Sequence, residues 1–186
     1  MRDTENVAVF IDGGYLSKIS QGSKIDFLAL SHFLAGGKEK LWRCYYYNCL
    51  PWQDKKNPDP QDKRRVQDSQ RFYDYLAKIP RMAVRLGKLK PLYREEQIVD
   101  FIQKQVDIFV GIDICTASNV LHVKKIVLLA GDGDMLPLLA HARDRGKLTS
   151  LYHGAKDSFD HSFESVVDEH FSLGASFFKK MFPKKK

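Results

Sequence analysis

Long apolar runs are missing from this chain of 186 residues. No stretch approaches the roughly 18 to 20 uninterrupted apolar residues of a membrane span, and the opening Met1-Arg2-Asp3-Thr4-Glu5-Asn6 lacks the apolar core of a secretory signal. A cytoplasmic location without membrane contact is therefore expected. Cysteine is scarce: Cys44, Cys49 and Cys115 lie in apolar surroundings, form no C-x-x-C pair and cannot all pair with one another, so packed, reduced thiols are expected. The six histidines show neither H-E-x-x-H nor a Cys/His ligand spacing, which removes support for the common structural and protease zinc sites. Dinucleotide (G-x-G-x-x-G) and nucleoside-triphosphate (G-x-x-x-x-G-K-[ST]) loops are absent, and no Ser-His or Cys-His pair suggests a covalent nucleophile.

What is present is a chain with 44% apolar residues, enough to bury one domain and too short for two ordinary ones. Lys and Arg exceed Asp and Glu by 30 to 23, a formal charge of +7. Such an excess favours a polyanion, nucleic acid above all, through release of condensed counterions. Part of it sits in Lys179 to Lys186, which reads as a frayed basic tail, so charge by itself decides little.

Buried strands alternate with helices. Val7 to Ile11 is a continuous β-branched-rich run, the pattern of a parallel strand covered on both faces, and it stops at Asp12-Gly13-Gly14. Phe27, Leu28, Leu30, Phe33 and Leu34 recur at helical spacing before Gly36-Gly37; Leu41 to Cys49 reads as a strand with three consecutive tyrosines. Pro51 to Pro60 is a loop by composition, and a polar helix of about Asp62 to Lys78 follows. Met82 to Leu86 suits a short strand ended by Gly87, and Lys88 to Lys104 fits either a hairpin or a helix. Val106 to Val120 reads as a buried helix, and Ile126 to Ala130 as a strand ending at Gly131-Asp132-Gly133-Asp134. Met135, Leu138, Leu139 and Ala142 then stripe a helix closed by Gly146, and Leu148 to Tyr152 forms a further strand. This alternation implies an α/β sandwich with helices on both faces of a parallel sheet.

In an open parallel sheet the ligand crevice lies at the carboxyl ends of the strands. Asp12 ends one apolar strand, and Asp132 and Asp134 end another. If the strands are neighbours, three carboxylates converge, and mutual repulsion then calls for a cation or a lysine among them. A hard divalent ion suits all-oxygen ligation, and such an ion can activate water and neutralise charge on a phosphodiester. Each aspartate also suits a plainer role: Asp12 can close a turn, and one of Asp132 and Asp134 can cap the next helix. Asp107 and Asp113 lie in an otherwise apolar segment, where an unpaired carboxylate is costly. Six helical residues set them roughly 9 Å apart along the axis and about 120° around it, so they do not face one ion alike. Asp107 is the first choice as ligand with Asp113 behind it, the other being the partner of a basic side chain. Lys55, Lys56, Lys63, Arg64 and Arg65, in or beside the proline-rich loop, suit backbone phosphate contacts, and Tyr15 suits stacking on a base; a solvated face and packing on the helix are the plainer readings.

Three blocks carry a resemblance. Val7 to Leu16 (VAVFIDGGYL), Lys104 to Asp107 (KQVD) with Asp113 following, and Leu129 to Leu138 (LAGDGDMLPL) resemble the NYN domain family, specifically the LabA-like branch of the PIN-like nuclease superfamily, over about Glu5 to Phe171. The resemblance implies a PIN-like three-layer α/β/α sandwich with a central, mainly parallel sheet over residues 1–174, followed by a basic tail over 175–186. It implies a metal-dependent ribonuclease with Asp12, Asp107, Asp132 and Asp134 as the catalytic carboxylates, Mg²⁺ or Mn²⁺ as cofactor and single-stranded or structured RNA as partner, with a homodimer left open. Gly133 stands where Ser is usual, Met135 where Phe is usual and Gln105 where Gly is common; Tyr15 lies near the position at which some members carry Asn. Every expected carboxylate is spared. Ser158, Ser162 and Asp168 fall in a segment resembling the family's closing block, and turn or capping roles suit them better than catalysis. The competing readings are a non-catalytic RNA- or protein-binding module on the same fold and a small-molecule phosphatase, which would want a closed pocket.

Overall fold

A computed structural model describes residues 6–38, 40–54, 59–155 and 165–182. One seven-stranded sheet runs through it in the order β4-β3-β2-β1-β5-β6-β7. Its strands are β1 (Asn6–Asp12), β2 (Leu41–Leu50), β3 (Met82–Arg94), β4 (Gln97–Lys104), β5 (Val123–Leu129), β6 (Leu148–Gly154) and β7 (Glu169–Leu173). All pairings are parallel except β3 with β4. The helices are α1 (Gly13–Ser20), α2 (Phe27–Leu34), α3 (Pro60–Ala77), α4 (Val106–Ser118), α5 (Leu136–Asp144) and α6 (Ala175–Met181).

Strand β1 is apolar at every interior position because both faces are covered: Val7, Val9 and Ile11 point into one core, Ala8 and Phe10 into the other. The first core is closed by α1, α2, α3 and α6, the second by α4 and α5. The tyrosine run of β2 follows the two-residue period of a strand, with Tyr46 in the first core and Tyr45 and Tyr47 in the second. The result is the expected three-layer α/β/α sandwich. No helix among the described residues is long and apolar enough to cross a membrane.

Two segments depart from expectation, the length of β3 and the C-terminal residues, and the open choice at Lys88 to Lys104 resolves as the hairpin. Strand β3 does not stop at Gly87; it continues to Arg94 and returns as β4, so Lys88 to Lys104 is an antiparallel hairpin. Gly87 is required there by close approach, since a Cβ would strike the Lys104 carbonyl and the Val106 side chain. The hairpin hides from periodicity because β4 buries neither face: all eight of its residues are exposed. At the other end, residues 175–182 are not a frayed tail. Phe178 is fully buried and Phe182 nearly so, both in the first core, and this anchors α6. The lysines around them masked two aromatic anchors at i and i+4.

Candidate metal and nucleic-acid site

Strand β1 has β2 on one side and β5 on the other, although β5 follows it by more than a hundred residues, so the chain order reverses at the β1–β5 pair. A crevice opens at the carboxyl ends of such a pair. Asp12 stands at the end of β1, and Asp132 follows β5 by three residues. Asp107 reaches the same rim by another route. Lys104 of β4 pairs with Lys88 just past the rim, Gln105 turns the chain, and α4 starts with Asp107 in its first turn.

The Asp12 side chain is the N-cap of α1, accepting the Tyr15 N–H at 3.0 Å. Burial pushes its carboxyl up from the usual range; the backbone N–H groups of Tyr15 and Gly14 oppose this, and the charges of Asp107 and Asp132 raise it further. Carboxylates from two other elements thus bear on Asp12 at the rim. Asp132 also has a capping bond, accepting the Asp134 N–H at 3.0 Å and opening the 3-10 turn Gly133–Met135. Asp134 is exposed in the first position after that turn's opening glycine, where its side chain is not the cap. Capping and proximity to the rim are therefore held together by the same residues.

A divalent cation is the implied occupant, and the donor set suits one. The side chains are anionic oxygens, one of them with its charge disfavoured by burial and by its neighbours, which a cation reverses. No cage is ready-made: among the described residues no three His, Cys, Asp or Glu side chains stand close enough to hold an ion together. Mg²⁺ asks for less than a cage, since it keeps several waters and takes one or two carboxylates.

Asp113 is not part of this set. Arg85 holds it in a fork, Nε to Oδ2 at 2.9 Å and Nη2 to Oδ1 at 3.0 Å, and the Tyr47 hydroxyl donates to Oδ2 at 3.1 Å. It is the partner of a basic side chain anticipated for one of the two aspartates, and its two oxygens are spent within the protein. Tyr15 is likewise tied into the fold. Its ring lies against Gly131, where a Cβ would collide with it, and its hydroxyl accepts the Gly154 N–H at 2.8 Å. The stacking platform expected of Tyr15 instead links α1 to the ends of β5 and β6.

Lys63, Arg64 and Arg65 are exposed near the start of α3. The Tyr73 hydroxyl of α3 donates to the Cys49 carbonyl, near the rim, at 3.0 Å. At about 1.5 Å per residue, Lys63 stands roughly 15 Å farther along the helix, so the basic residues extend beyond the Cys49 end of β2. Arg65 pairs with Asp62 at 2.8 Å and leaves less of its charge available. Lys55 and Lys56 lie outside the described residues, as do Ser158 and Ser162. Asp168 is structural, accepting from the Thr149 N–H at 2.7 Å and hydroxyl at 2.8 Å.

Several rim residues were not legible in the sequence. The Cys49 thiol, raised chiefly by burial, also feels Asp107 and Asp12. Gln103 of the hairpin reaches over Gly14, its Nε2 being 3.8 Å from where a Cβ would stand. No motif marks either; the hairpin had to be recognised before Gln103 had a location.

No curated protein matches the chain in sequence. A crystal structure of a protein of unknown function from Vibrio parahaemolyticus shares the fold, with a TM-score of 0.61 over 95% of this chain and 98% of that one, at 16% identity. The sequence profile of the NYN domain matches residues 6–174, the whole span from β1 to the end of β7. The match is to the family as a whole, without resolving the LabA-like branch. With its mainly parallel sheet and its acidic rim at the β1–β5 reversal, the chain belongs to the NYN domain family of PIN-like proteins.

Proposed function

We propose that the protein is a Mg²⁺- or Mn²⁺-dependent ribonuclease that hydrolyses RNA phosphodiester bonds at the rim formed by Asp12, Asp107 and Asp132, with Asp134 beside them. The observation that supports the reading is the placement of Asp12, Asp107 and Asp132, from three separate elements, about the crevice of the sheet, where the charges of the latter two bear on Asp12. A divalent ion bound there supplies Lewis acidity and an activated water. Asp12 and Asp132, each fixed by a backbone N–H, hold their carboxylates in set orientations, and Asp107 and Asp134 add exposed oxygens. The exposed Lys63 and Arg64, near the start of α3, suit contacts to the phosphate chain that do not read its sequence. The positive net charge and the open rim favour a polymer over a small phosphate ester.

The test is cleavage of labelled single-stranded and structured RNA in Mn²⁺ or Mg²⁺ by the intact protein, Asp12→Asn and Asp134→Asn, with an EDTA control. Loss of turnover by two or more orders of magnitude in both variants, and in EDTA, is expected. RNA binding without turnover in the intact protein would replace this reading with a binding module. Hydrolysis of a chromogenic phosphate ester that is indifferent to added RNA would replace it with a phosphatase.

A further inference from the structure

One step from Asp12, on the face covered by α1 and α3, lies a cavity of about 710 Å³ that the rim carboxylates do not enter. Gly13 lines its inner end. A Cβ at Gly13 would collide with the Tyr46 ring and stand 2.7 Å from the Tyr47 carbonyl oxygen, so the backbone next to Asp12 is pressed against the aromatic wall. That volume lies within the 300 to 1,000 Å³ typical of small-ligand pockets, and its wall combines flat rings with fixed polar groups.

The rings come from β2 and α3. Tyr46 and Phe72 meet edge to face at a centroid distance of 6.0 Å, and Tyr75, one helical turn beyond Phe72, is 53% exposed at the mouth. Its exposed ring offers a face on which a flat ligand group can stack. The polar group is Asn48. Its Oδ1 accepts the Cys49 N–H at 2.8 Å, which fixes the amide, and its Nδ2 donates one hydrogen to the Tyr46 hydroxyl at 3.3 Å. An amide nitrogen has two hydrogens, so a second donor remains for an acceptor in the cavity. Lys24 and Ser17, both exposed, stand on the wall formed by α1 and the turn after it. Lys24 suits a phosphate, and Ser17 offers a donor or acceptor.

Resting on the nuclease reading, we infer that this cavity seats one unstacked base of a single-stranded RNA whose backbone crosses the carboxylate rim, with Tyr75 as its stacking surface and Asn48 as its hydrogen-bond donor. A duplex keeps its bases stacked and does not fill such a pocket, so the site selects single strands or loops. With one base held one residue from Asp12, the register of the strand over the rim is set by the pocket.

The experiment is fluorescence anisotropy in EDTA with a labelled eight-nucleotide oligouridylate, and with a series of the same RNA carrying one abasic residue at each position. The proteins are the intact chain, Tyr75→Ala and Ser17→Trp, the last placing an indole in the cavity from an exposed position. Both substitutions are at exposed residues, and thermal melts verify folding. Stacking on one aromatic is typically worth roughly 5- to 100-fold in affinity. Weakening of that size is expected in both variants, together with a penalty of about tenfold or more at one abasic position in the intact protein that vanishes in Tyr75→Ala. Intact and variant proteins binding alike, with a flat abasic series, would overturn the base pocket while leaving cleavage dependent on Asp12 untouched. Absence of RNA binding overturns the pocket as well, and the nuclease reading falls with it only if cleavage is also absent.

Discussion

Asp12 carries opposing demands at the scale of one residue. Its cap on α1 stabilises the fold, whereas burial and the neighbouring carboxylates disfavour its charge. A carboxyl with its folded pKa raised binds protons more tightly when folded, so the contribution of Asp12 to metal-free stability is fully present below the unfolded value of 3.8 and is lost as pH rises through the folded value. Asn caps as well as Asp and carries no charge. Asp12→Asn is therefore expected to raise the melting temperature of the metal-free protein at neutral pH while abolishing cleavage, the gain shrinking toward pH 4. A lower melting temperature at neutral pH would show that the charge is not disfavoured there. Gln105 offers a second test. Its φ of 76° lies in the left-handed region, at the turn that delivers Asp107, which accounts for the common glycine at this place in the family the sequence resembles. Gln105→Gly should stabilise by about 0.5 to 1 kcal/mol, less than the full relief of strain because glycine also gains freedom when unfolded. Chemical denaturation measures it.

Elements were legible in the sequence where burial imposes a period. Strands β1 and β5 show in the sequence as apolar runs, and because parallel strands end at one rim, Asp12 and Asp132 are companions once the two strands are neighbours, a pairing that the sequence leaves open. Strand β4 was not, because an exposed hairpin strand has no apolar face to display. With it went Gln103 and the route by which Asp107 arrives. The fate of Asp113 was half legible: a costly buried charge was evident, but choosing Arg85 as its partner needs the pairing of β3 with β2 and the packing of α4 on both. The last helix was hidden by its lysines. Phe178 is fully buried in the core that α1, α2 and α3 close, so Phe178→Ala should cost about 3 to 5 kcal/mol, the usual range for a core phenylalanine. A loss under 1 kcal/mol on denaturation would mean that residues 175–182 are a tail after all.

For the whole molecule, the sheet sets an acidic rim inside a basic protein. The net charge of +7 attracts a polyanion over the molecule as a whole, while the carboxylates oppose it only locally, at the rim, where a cation would offset them. On the proposed function, attraction and chemistry are thus separated in space, and a bound divalent ion would join them. The base cavity beside Gly13 was invisible in the sequence because its walls come from β2, α1 and α3, segments that no local pattern relates. The central claim is that Asp12 and its companions, and not Asp113, hold the ion. Titration of free Mn²⁺ by electron paramagnetic resonance, with the intact protein, Asp12→Asn and Asp113→Asn, tests it most directly, provided thermal melts show each variant folded. Binding weakened at least tenfold in Asp12→Asn and retained in Asp113→Asn is the predicted result; undiminished binding in Asp12→Asn would contradict the account.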